Sequence, residues 1–202
     1  MINIIKDVDI YDHFSEYDAI LIGTNLYCTM SQGVQLKVML NYHYAYEANL
    51  NTKYGDSEKL GTILECTAEG KPTFCLCFIT KGYNFRPDLE QDYLSYEALE
   101  KCLKLVNIKY KGKKIACPLL GSSRFDGNGD KERIYNIFND CITNTDVTIF
   151  DYFQKSRAEE MKEWYTSEQE LKKTDYKAYR KVVAKRKEEA EKRFKNNGHR
   201  RY

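Results

Sequence analysis

The segment DAILIGTN, which runs from Asp18 to Asn25, gives the clearest indication of fold in this 202-residue chain. Its apolar run, residues 19–23, has the isoleucine and leucine content of a strand that is buried on both faces. The run leads to Asn25, a polar stretch follows, and a new apolar pattern starts at Gly33 and Val34. This order predicts a buried strand, then a polar loop and then a helix.

Strand-like and helix-like patterns alternate along the rest of the chain. The strand-like runs, rich in Ile, Val, Phe and Cys, are residues 2–5, 61–66, 73–80, 114–120 and 147–150. The helical patterns occupy residues 33–55, 95–110 and 130–143. Alternation of this kind predicts the α/β class, with a three-layer α/β/α sandwich around a mostly parallel mixed sheet.

Composition restricts the class of protein further. With 42% hydrophobic and 31% charged residues, the chain is long enough for one well-buried domain and an appendage. It contains no window of about 18 apolar residues, so we expect no signal peptide, no membrane contact and a cytoplasmic location. The seven cysteines are an odd number scattered through apolar runs, which indicates reduced thiols used in packing. We expect no metal and no cofactor.

The charge pattern predicts a boundary near residue 153. The net charge of +2 hides an excess of basic residues in 155–202 and an excess of acidic residues before them. We therefore expect an α/β domain over 1–153 and a basic, charged helical tail over 154–202. The tail's apolar stripe, which includes Met161 and Trp164, could pack on the domain. Alternatively, the tail could contact an acidic partner, a nucleic acid or another subunit.

Two glycine-containing loops are the candidate ligand site. One lies between Asn25 and Val34, and the other spans residues 118–131. In parallel sheets, ligands bind beyond the carboxyl ends of the strands, in the loops that lead into helices. Such loops can direct backbone N–H groups and a helix N-terminus at a phosphate. The pair could hold a diphosphate, although similar loops simply connect elements in many α/β proteins.

These segments together resemble the macrodomain family. DAILIGTN followed by MSQGV (30–34) is similar to the family's strand, asparagine and glycine-rich loop. Further similar pieces follow in the family's order: LGTI (60–63), FITKGYNFR (78–86), SYEAL (95–99) and IACPLLGS (115–122). The resemblance covers about residues 3–153 and is nearest to ADP-ribose-1″-phosphate phosphatases and terminal ADP-ribose glycohydrolases, including phage members. It implies the macrodomain fold and ADP-ribose, or a close derivative, as ligand.

The resemblance also implies roles for individual residues. Asn25 would face the distal ribose and act in catalysis with Asp126, which could orient a water. Asp9, with Asp7 as a competing alignment, would accept a hydrogen bond from the adenine amino group, and Phe150 or Tyr152 would stack on the adenosine. The implied ligand contacts are Asp9, Ile10, Asn25, Met30, Ser31, Gln32, Gly33, Val34, Leu120, Gly121, Ser122, Ser123, Arg124, Phe125, Phe150 and Tyr152. Judged from the residues alone, Asn25 is a turn residue, Asp9 a helix cap and Phe150 a core residue.

Departures from the family pattern leave three functions open. Ile22, Cys28 and Ser31 stand where asparagine or glycine is usual, so the first loop is bulkier. The helix that follows has Met39 at the position where some deacylating members carry a lysine, with Lys37 two residues away. The chain could hydrolyse a phosphate or ester on the distal ribose, bind ADP-ribose without catalysis, or serve as a scaffold whose basic tail contacts a partner.

Overall fold

The computed structural model describes residues 1–31, 33–82, 93–123, 127–152 and 173. Its six strands form one sheet in the order β1-β6-β5-β2-β4-β3. The strands are β1 (Ile2–Lys6), β2 (Ala19–Asn25), β3 (Ile63–Cys66), β4 (Phe74–Thr80), β5 (Lys114–Pro118) and β6 (Asp146–Asp151). Every pairing among these strands is parallel except that of β3 with β4. The sheet is therefore mixed and mostly parallel, as predicted.

Helices cover both faces of this sheet. The helices are α1 (Gly33–Asn41), α2 (His43–Leu50), α3 (Tyr96–Lys109) and α4 (Lys131–Cys141), with two 3-10 helices, η1 (Ile10–Glu16) and η2 (Ser57–Lys59). One apolar cluster joins the sheet to η1, α1 and α2, and a second joins the opposite face to α3 and α4. The predicted three-layer sandwich is confirmed. Within the described residues, no helix combines the length and apolarity needed to cross a membrane.

The helix predicted over residues 33–55 is two helices, and Tyr42 is the reason. Its φ of −134° and ψ of 62° lie outside the helical region. This backbone turn lets the Tyr42 ring pack 5.8 Å from the ring of Phe14 and 5.0 Å from that of Phe74, measured between centroids. Aromatic packing against the sheet therefore outweighs continuation of the helix. The chain also leaves α2 after Leu50, before the predicted end at residue 55.

The end of β2 is shaped by a bulge. Thr24 pairs with Phe78 but Asn25 pairs with Thr80, so Ile79 is an extra residue on β4. A side chain at Gly23 would place its Cβ 2.9 Å from Cδ1 of Ile79, which explains the glycine in an otherwise bulky strand. Bulges bend a strand locally and are common beside functional sites. Here the bulge lies where β2 passes into the first loop.

The seven cysteines are all free and buried, as expected for reduced packing residues. The chain also divides into two compact units, Met1–Phe153 and Gln154–Tyr202. Apart from Lys173, the second unit lies outside the described residues. The helical nature of the basic tail and its partners therefore stay predictions.

Candidate functional site

The two predicted loops leave neighbouring strands at the same edge of the sheet. β2 and β5 are paired in parallel, so their carboxyl ends, Asn25 and Pro118, point the same way. The first loop connects β2 to α1, and the second connects β5 to α4. This is the edge at which open α/β sheets bind ligands. The fold thus brings together the two loops that the sequence indicates.

The side chain of Asn25 holds the first loop in shape. Its amide nitrogen donates to Oγ1 of Thr29 at 2.7 Å and to the Thr29 carbonyl oxygen at 3.3 Å. Its Oδ1 accepts from the backbone N–H of Tyr27 at 2.9 Å and from that of Thr29 at 3.4 Å. Only 2% of the residue is exposed. Asn25 therefore has the turn role, and its contact with a distal ribose stays a prediction.

A lysine distant in sequence secures the same loop from outside. The Lys59 ammonium donates to the Leu26 carbonyl oxygen at 2.8 Å and to Oγ1 of Thr52 at 3.0 Å. That hydroxyl also lies 3.3 Å from Sγ of Cys28, whose φ is +55°. The bulky Cys28 side chain is thus turned inward, 4% exposed. The sequence does not predict these contacts of Lys59 and Thr52, because no local pattern links the two residues to residues 26–28.

The last part of the first loop opens to solvent. Met30 is 1% exposed and belongs to the core, whereas Ser31 and Gly33 are exposed and Val34 is half-buried. Gly33 has a φ of +53°, and among the described residues beyond its own chain neighbours and helix backbone no atom would lie within 4 Å of a Cβ placed there. This leaves open space at the start of α1, where N–H groups without helical partners begin. Of the residues predicted for this loop, Gln32 lies outside the described ones.

The second loop is built around three glycines packed on each other. A Cβ on Gly127 would lie 2.3 Å from the carbonyl oxygen of Gly121, and a Cβ on Gly121 would lie 2.6 Å from Cδ1 of Leu94. The N–H of Gly129 donates to the same Gly121 oxygen at 2.9 Å. Gly121 also has a φ of +74°, which favours glycine. The loop therefore folds back on itself directly beyond β5.

The remaining residues predicted for the second loop have different placements. Leu120 is buried, whereas Ser122 is half-buried and donates from Oγ to the Leu119 carbonyl oxygen at 2.8 Å. Ser123 is exposed, and its carbonyl oxygen accepts from the N–H groups of residues 127 and 128. Three predicted residues, Arg124, Phe125 and Asp126, lie outside the described residues. Their roles stay predictions.

Asp9 lies in the segment that follows β1, and two groups donate hydrogen bonds to its carboxylate. One oxygen accepts from the Tyr11 N–H at 3.0 Å, which makes Asp9 the N-cap of η1. The other oxygen accepts from the Lys37 ammonium of α1. Ile10 beside it is 1% exposed and lies in the core. Asp9 thus has the cap role, and its predicted contact with adenine is untested.

The two aromatic residues predicted to stack on adenosine differ in exposure. Phe150 is 1% exposed, and its ring centroid lies 5.5 Å from that of His13 and 6.1 Å from that of Tyr17. Tyr152, just beyond β6, is 47% exposed. Phe150 is therefore a core residue, and Tyr152 is the one of the pair that a ligand can reach from solvent.

An ion pair ties α4 to the end of β6 at this edge. The Asp151 carboxylate accepts from the Lys131 ammonium at 2.8 Å and from the Tyr135 hydroxyl at 3.0 Å. Burial, followed by the hydrogen bond and charge of Asp151, raises the pKa of Tyr135 to about 12. The phenol therefore stays protonated and donates at neutral pH. These bonds help to fix the helix that follows the second loop.

Comparison with known proteins identifies the fold. No family model matches the chain, and no curated protein matches it. The macrodomain of Thermus aquaticus DarG is similar over 75% of this chain and 98% of its own, with a TM-score of 0.55 and 14% identity. Thermosipho africanus DarTG, solved in complex with ADP-ribose, matches over 77% of this chain and 43% of its own, with a TM-score of 0.58 and 14% identity. A Bacteroides thetaiotaomicron protein of unknown function matches over 75% of this chain and 98% of its own, with a TM-score of 0.58 and 19% identity.

The architecture and the structural comparisons together define the fold of the chain. A mostly parallel six-stranded sheet between two helical layers, with two loops at the carboxyl ends of neighbouring strands, defines a three-layer α/β domain. Several of its structural neighbours are macrodomains, and the chain has the macrodomain fold, as the resemblance implies. Similarity to the branch of ADP-ribose-1″-phosphate phosphatases and terminal ADP-ribose glycohydrolases stays a prediction.

Proposed function

We propose that the chain binds ADP-ribose, or a close derivative, at the carboxyl edge of the sheet. The diphosphate would lie between the first and second loops, the base near Asp9 and Tyr152, and the distal ribose near the bulged end of β2. The macrodomain fold supports this proposal, and so does the neighbour that was solved with ADP-ribose. Within the chain itself, the shape of the two loops supports it.

The observation that carries the proposal is the open backbone at Gly33. This residue is exposed and has a φ of +53°, and no described residue outside its own helix and chain neighbours comes within 4 Å of a Cβ placed on it. It begins α1, so the positive end of the helix dipole and its first N–H groups lie at the same place. A doubly charged diphosphate is suited to such a site. The close-packed second loop beyond β5 would supply the opposite wall.

Binding without catalysis is the form of the proposal that the described side chains favour. All polar atoms of the Asn25 amide bond within the first loop, so this residue acts by holding the loop. Asp130 caps α4, where it accepts from the Arg133 N–H at 2.7 Å. Hydrolysis of a phosphate or ester on the distal ribose would then depend on Asp126. Loss of turnover but not of binding in Asp126→Asn would establish that role.

Calorimetric titration of the full chain tests the proposal directly. We expect saturable binding of ADP-ribose with a micromolar dissociation constant, and much weaker binding of AMP, which has neither the diphosphate nor the second ribose. NAD is the third ligand, because it carries the diphosphate but adds a nicotinamide where the distal ribose is free in ADP-ribose. If millimolar ADP-ribose gave no heat of binding, the proposal would be refuted and the scaffold function would be the remaining candidate.

Two glycines provide a matched pair of variants. Gly33 and Gly112 both have positive φ, +53° and +73°, and a Cβ placed on either would lie in open space. Alanine should therefore cost each a similar free energy of unfolding, about 1–2 kcal/mol. Gly112 lies between α3 and β5, at the opposite edge of the sheet. We expect Gly33→Ala to weaken ADP-ribose binding by roughly tenfold or more and Gly112→Ala to leave it within about twofold.

A further inference from the structure

The chain segment between α2 and β3, residues 51–62, lies beside the first loop. β3 runs antiparallel to β4, and Ile63 at its start pairs with Cys77 near the end of β4. The segment that leads into β3 therefore reaches the carboxyl edge of the sheet. Its contact with the first loop is direct, because the N–H of Gly55 donates to the Leu26 carbonyl oxygen at 2.9 Å.

This segment places an exposed aromatic ring next to the first loop. Tyr54 is 69% exposed, and its ring centroid lies 5.3 Å from that of Tyr27, with an angle of 70° between the ring planes. Edge-to-face contact is a favourable arrangement of two aromatic rings, and here it holds Tyr54 against the loop. Most of Tyr54 is nevertheless open to solvent, so its ring can make a further contact.

The residues on either side of Tyr54 hold its backbone in place. Before it, the Thr52 hydroxyl donates to the Asn49 carbonyl oxygen at 2.7 Å. After it, the Lys59 ammonium donates to the same hydroxyl oxygen at 3.0 Å and to the Leu26 carbonyl oxygen at 2.8 Å. The fold itself thus presents the ring, and a ligand that stacks on it needs to order little of the chain.

The strand order determines which end of the proposed ligand meets Tyr54. The proposed function places the base beside β1 and β6, and the diphosphate between the loops that follow β5 and β2. The sheet order, β1-β6-β5-β2-β4-β3, continues in the same direction to β4 and β3. The distal ribose, near the end of β2, is thus followed by the segment that leads into β3. A group attached to C1″ of that ribose would next reach the Tyr54 ring.

The face of a tyrosine ring favours flat groups, and cationic ones most, because its π electrons give the face a negative potential. The nicotinamide of NAD⁺ is a flat, positively charged ring on C1″ of the distal ribose, where ADP-ribose has a hydroxyl group. NADH carries the same substituent without the charge. The segment around Tyr54 does not oppose a cation, because Lys53 pairs with Asp56 at 3.4 Å and Glu58 offsets the charge of Lys59.

From these contacts we propose that Tyr54, supported by Tyr27, is a stacking subsite for a cationic planar group on the distal ribose, so that the chain binds NAD⁺ as well as ADP-ribose. The proposal rests on the proposed function, because it requires the diphosphate to lie between the two loops with the distal ribose at the end of β2. It adds dinucleotides of the NAD⁺ type to the ligand class. Loss of the Tyr54 ring should therefore weaken NAD⁺ binding and spare ADP-ribose binding.

Calorimetry with ADP-ribose, NAD⁺ and NADH on three variants of the full chain provides the test. We expect the wild type to bind NAD⁺ at least as tightly as ADP-ribose, and about two- to fivefold more tightly than NADH. Tyr54→Ala should weaken NAD⁺ binding about three- to tenfold and leave ADP-ribose binding within about twofold. Tyr54→Phe keeps the ring face and should bind like the wild type. Ile108→Ala is the control, since Ile108 is 76% exposed in the last turn of α3, at the opposite edge of the sheet, and should change no constant.

A spectroscopic measurement locates the nicotinamide independently of affinity. In saturation-transfer difference NMR with NAD⁺, the nicotinamide protons should receive strong saturation from the wild type and from Tyr54→Phe, and weak saturation from Tyr54→Ala. The adenine protons should give the same signal with all three proteins.

The outcomes separate this inference from the proposed function. A loss of NAD⁺ affinity alone in Tyr54→Ala, with weak nicotinamide signals, would establish the subsite. Equal affinities for NAD⁺ in the wild type and Tyr54→Ala would overturn it and leave ADP-ribose binding intact. A parallel loss of both ligands in Tyr54→Ala would also overturn it, because the ring would then act by holding the first loop. A wild type that binds neither ligand at millimolar concentration would overturn both proposals.

Discussion

Replacing Asn25 with alanine should destabilise the chain because the first loop loses its internal brace. The two shorter bonds, to Oγ1 of Thr29 at 2.7 Å and from the Tyr27 N–H at 2.9 Å, each contribute about 1 kcal/mol net. The two longer bonds, at 3.3 and 3.4 Å, contribute less. We therefore expect a loss of about 2–3 kcal/mol in the free energy of unfolding. For a chain of this size that corresponds to a decrease of about 4–12 °C in Tm.

A second substitution at the same position sharpens the test. Asn25→Asp keeps both backbone N–H bonds, because the carboxylate accepts them, and it loses only the donation to Thr29. It also buries a carboxylate at a site that is only 2% exposed and turns one of its oxygens toward the Thr29 carbonyl oxygen, so its cost at neutral pH should be at least as large as that of alanine. Thermal and urea denaturation of the wild type and both variants measure the ranking. Titration with ADP-ribose alongside measures whether affinity falls in proportion to loop stability.

One result would refute the role of Asn25 as a brace. If Asn25→Ala melted within about 2 °C of the wild type but no longer bound ADP-ribose, the side chain would act on the ligand and not on the loop. A loss in Asn25→Asp well below that in Asn25→Ala would also contradict the assignment, because a carboxylate at this buried position would face the Thr29 carbonyl oxygen. Either result would require the hydrogen bonds of the first loop to be reassigned.

Two further predictions concern stability. Gly127→Ala forces a Cβ to within 2.3 Å of a backbone oxygen and should cost about 2–3 kcal/mol. Gly70→Ala, where the added Cβ meets no described atom and φ is +66°, should cost about 1–2 kcal/mol, as at Gly33 and Gly112. A loss in Gly127→Ala no larger than that in Gly70→Ala on urea denaturation would contradict the close packing of the second loop. Burial raises the pKa of Tyr44 to about 12, above its ordinary value of 10. Stability should therefore be full below pH 10 and decrease as the pH rises toward 12, with a shallower decrease in Tyr44→Phe; an unchanged pH profile in that variant would count against the assignment.

The layers of the fold could be predicted from local composition because burial and periodicity are local signals. Strand β2 is buried at all seven positions, and its apolar run predicts this without help from any other segment. The break at Tyr42 could not be predicted in the same way. It depends on the rings of Phe14 and Phe74, which are distant from Tyr42 in sequence and are brought next to it by the fold. Tertiary aromatic packing overrode the helical pattern there.

In the candidate site, too, local features could be predicted from the sequence and contacts between distant residues could not. Strand-end and glycine signals locate both loops, and the residues alone already indicate the turn role of Asn25 and the cap role of Asp9. The lysines that complete the site give no such signal. Lys59 is 33 residues from the carbonyl group it binds, and Lys37 is 28 residues from Asp9. Side-chain pairs of this separation follow from the folded topology and not from a pattern in a short window.

The bracing of the first loop by Asn25 and Lys59 also affects the thermodynamics of ligand capture. A mobile loop must lose conformational entropy when it closes on a ligand, by about 1–2 kcal/mol for each backbone residue that becomes fixed. Here the hydrogen bonds to Leu26, Tyr27 and Thr29 form within the fold itself. Folding therefore already orders this segment, and we expect a ligand that binds beside it to lose less affinity to loop ordering than at a mobile loop.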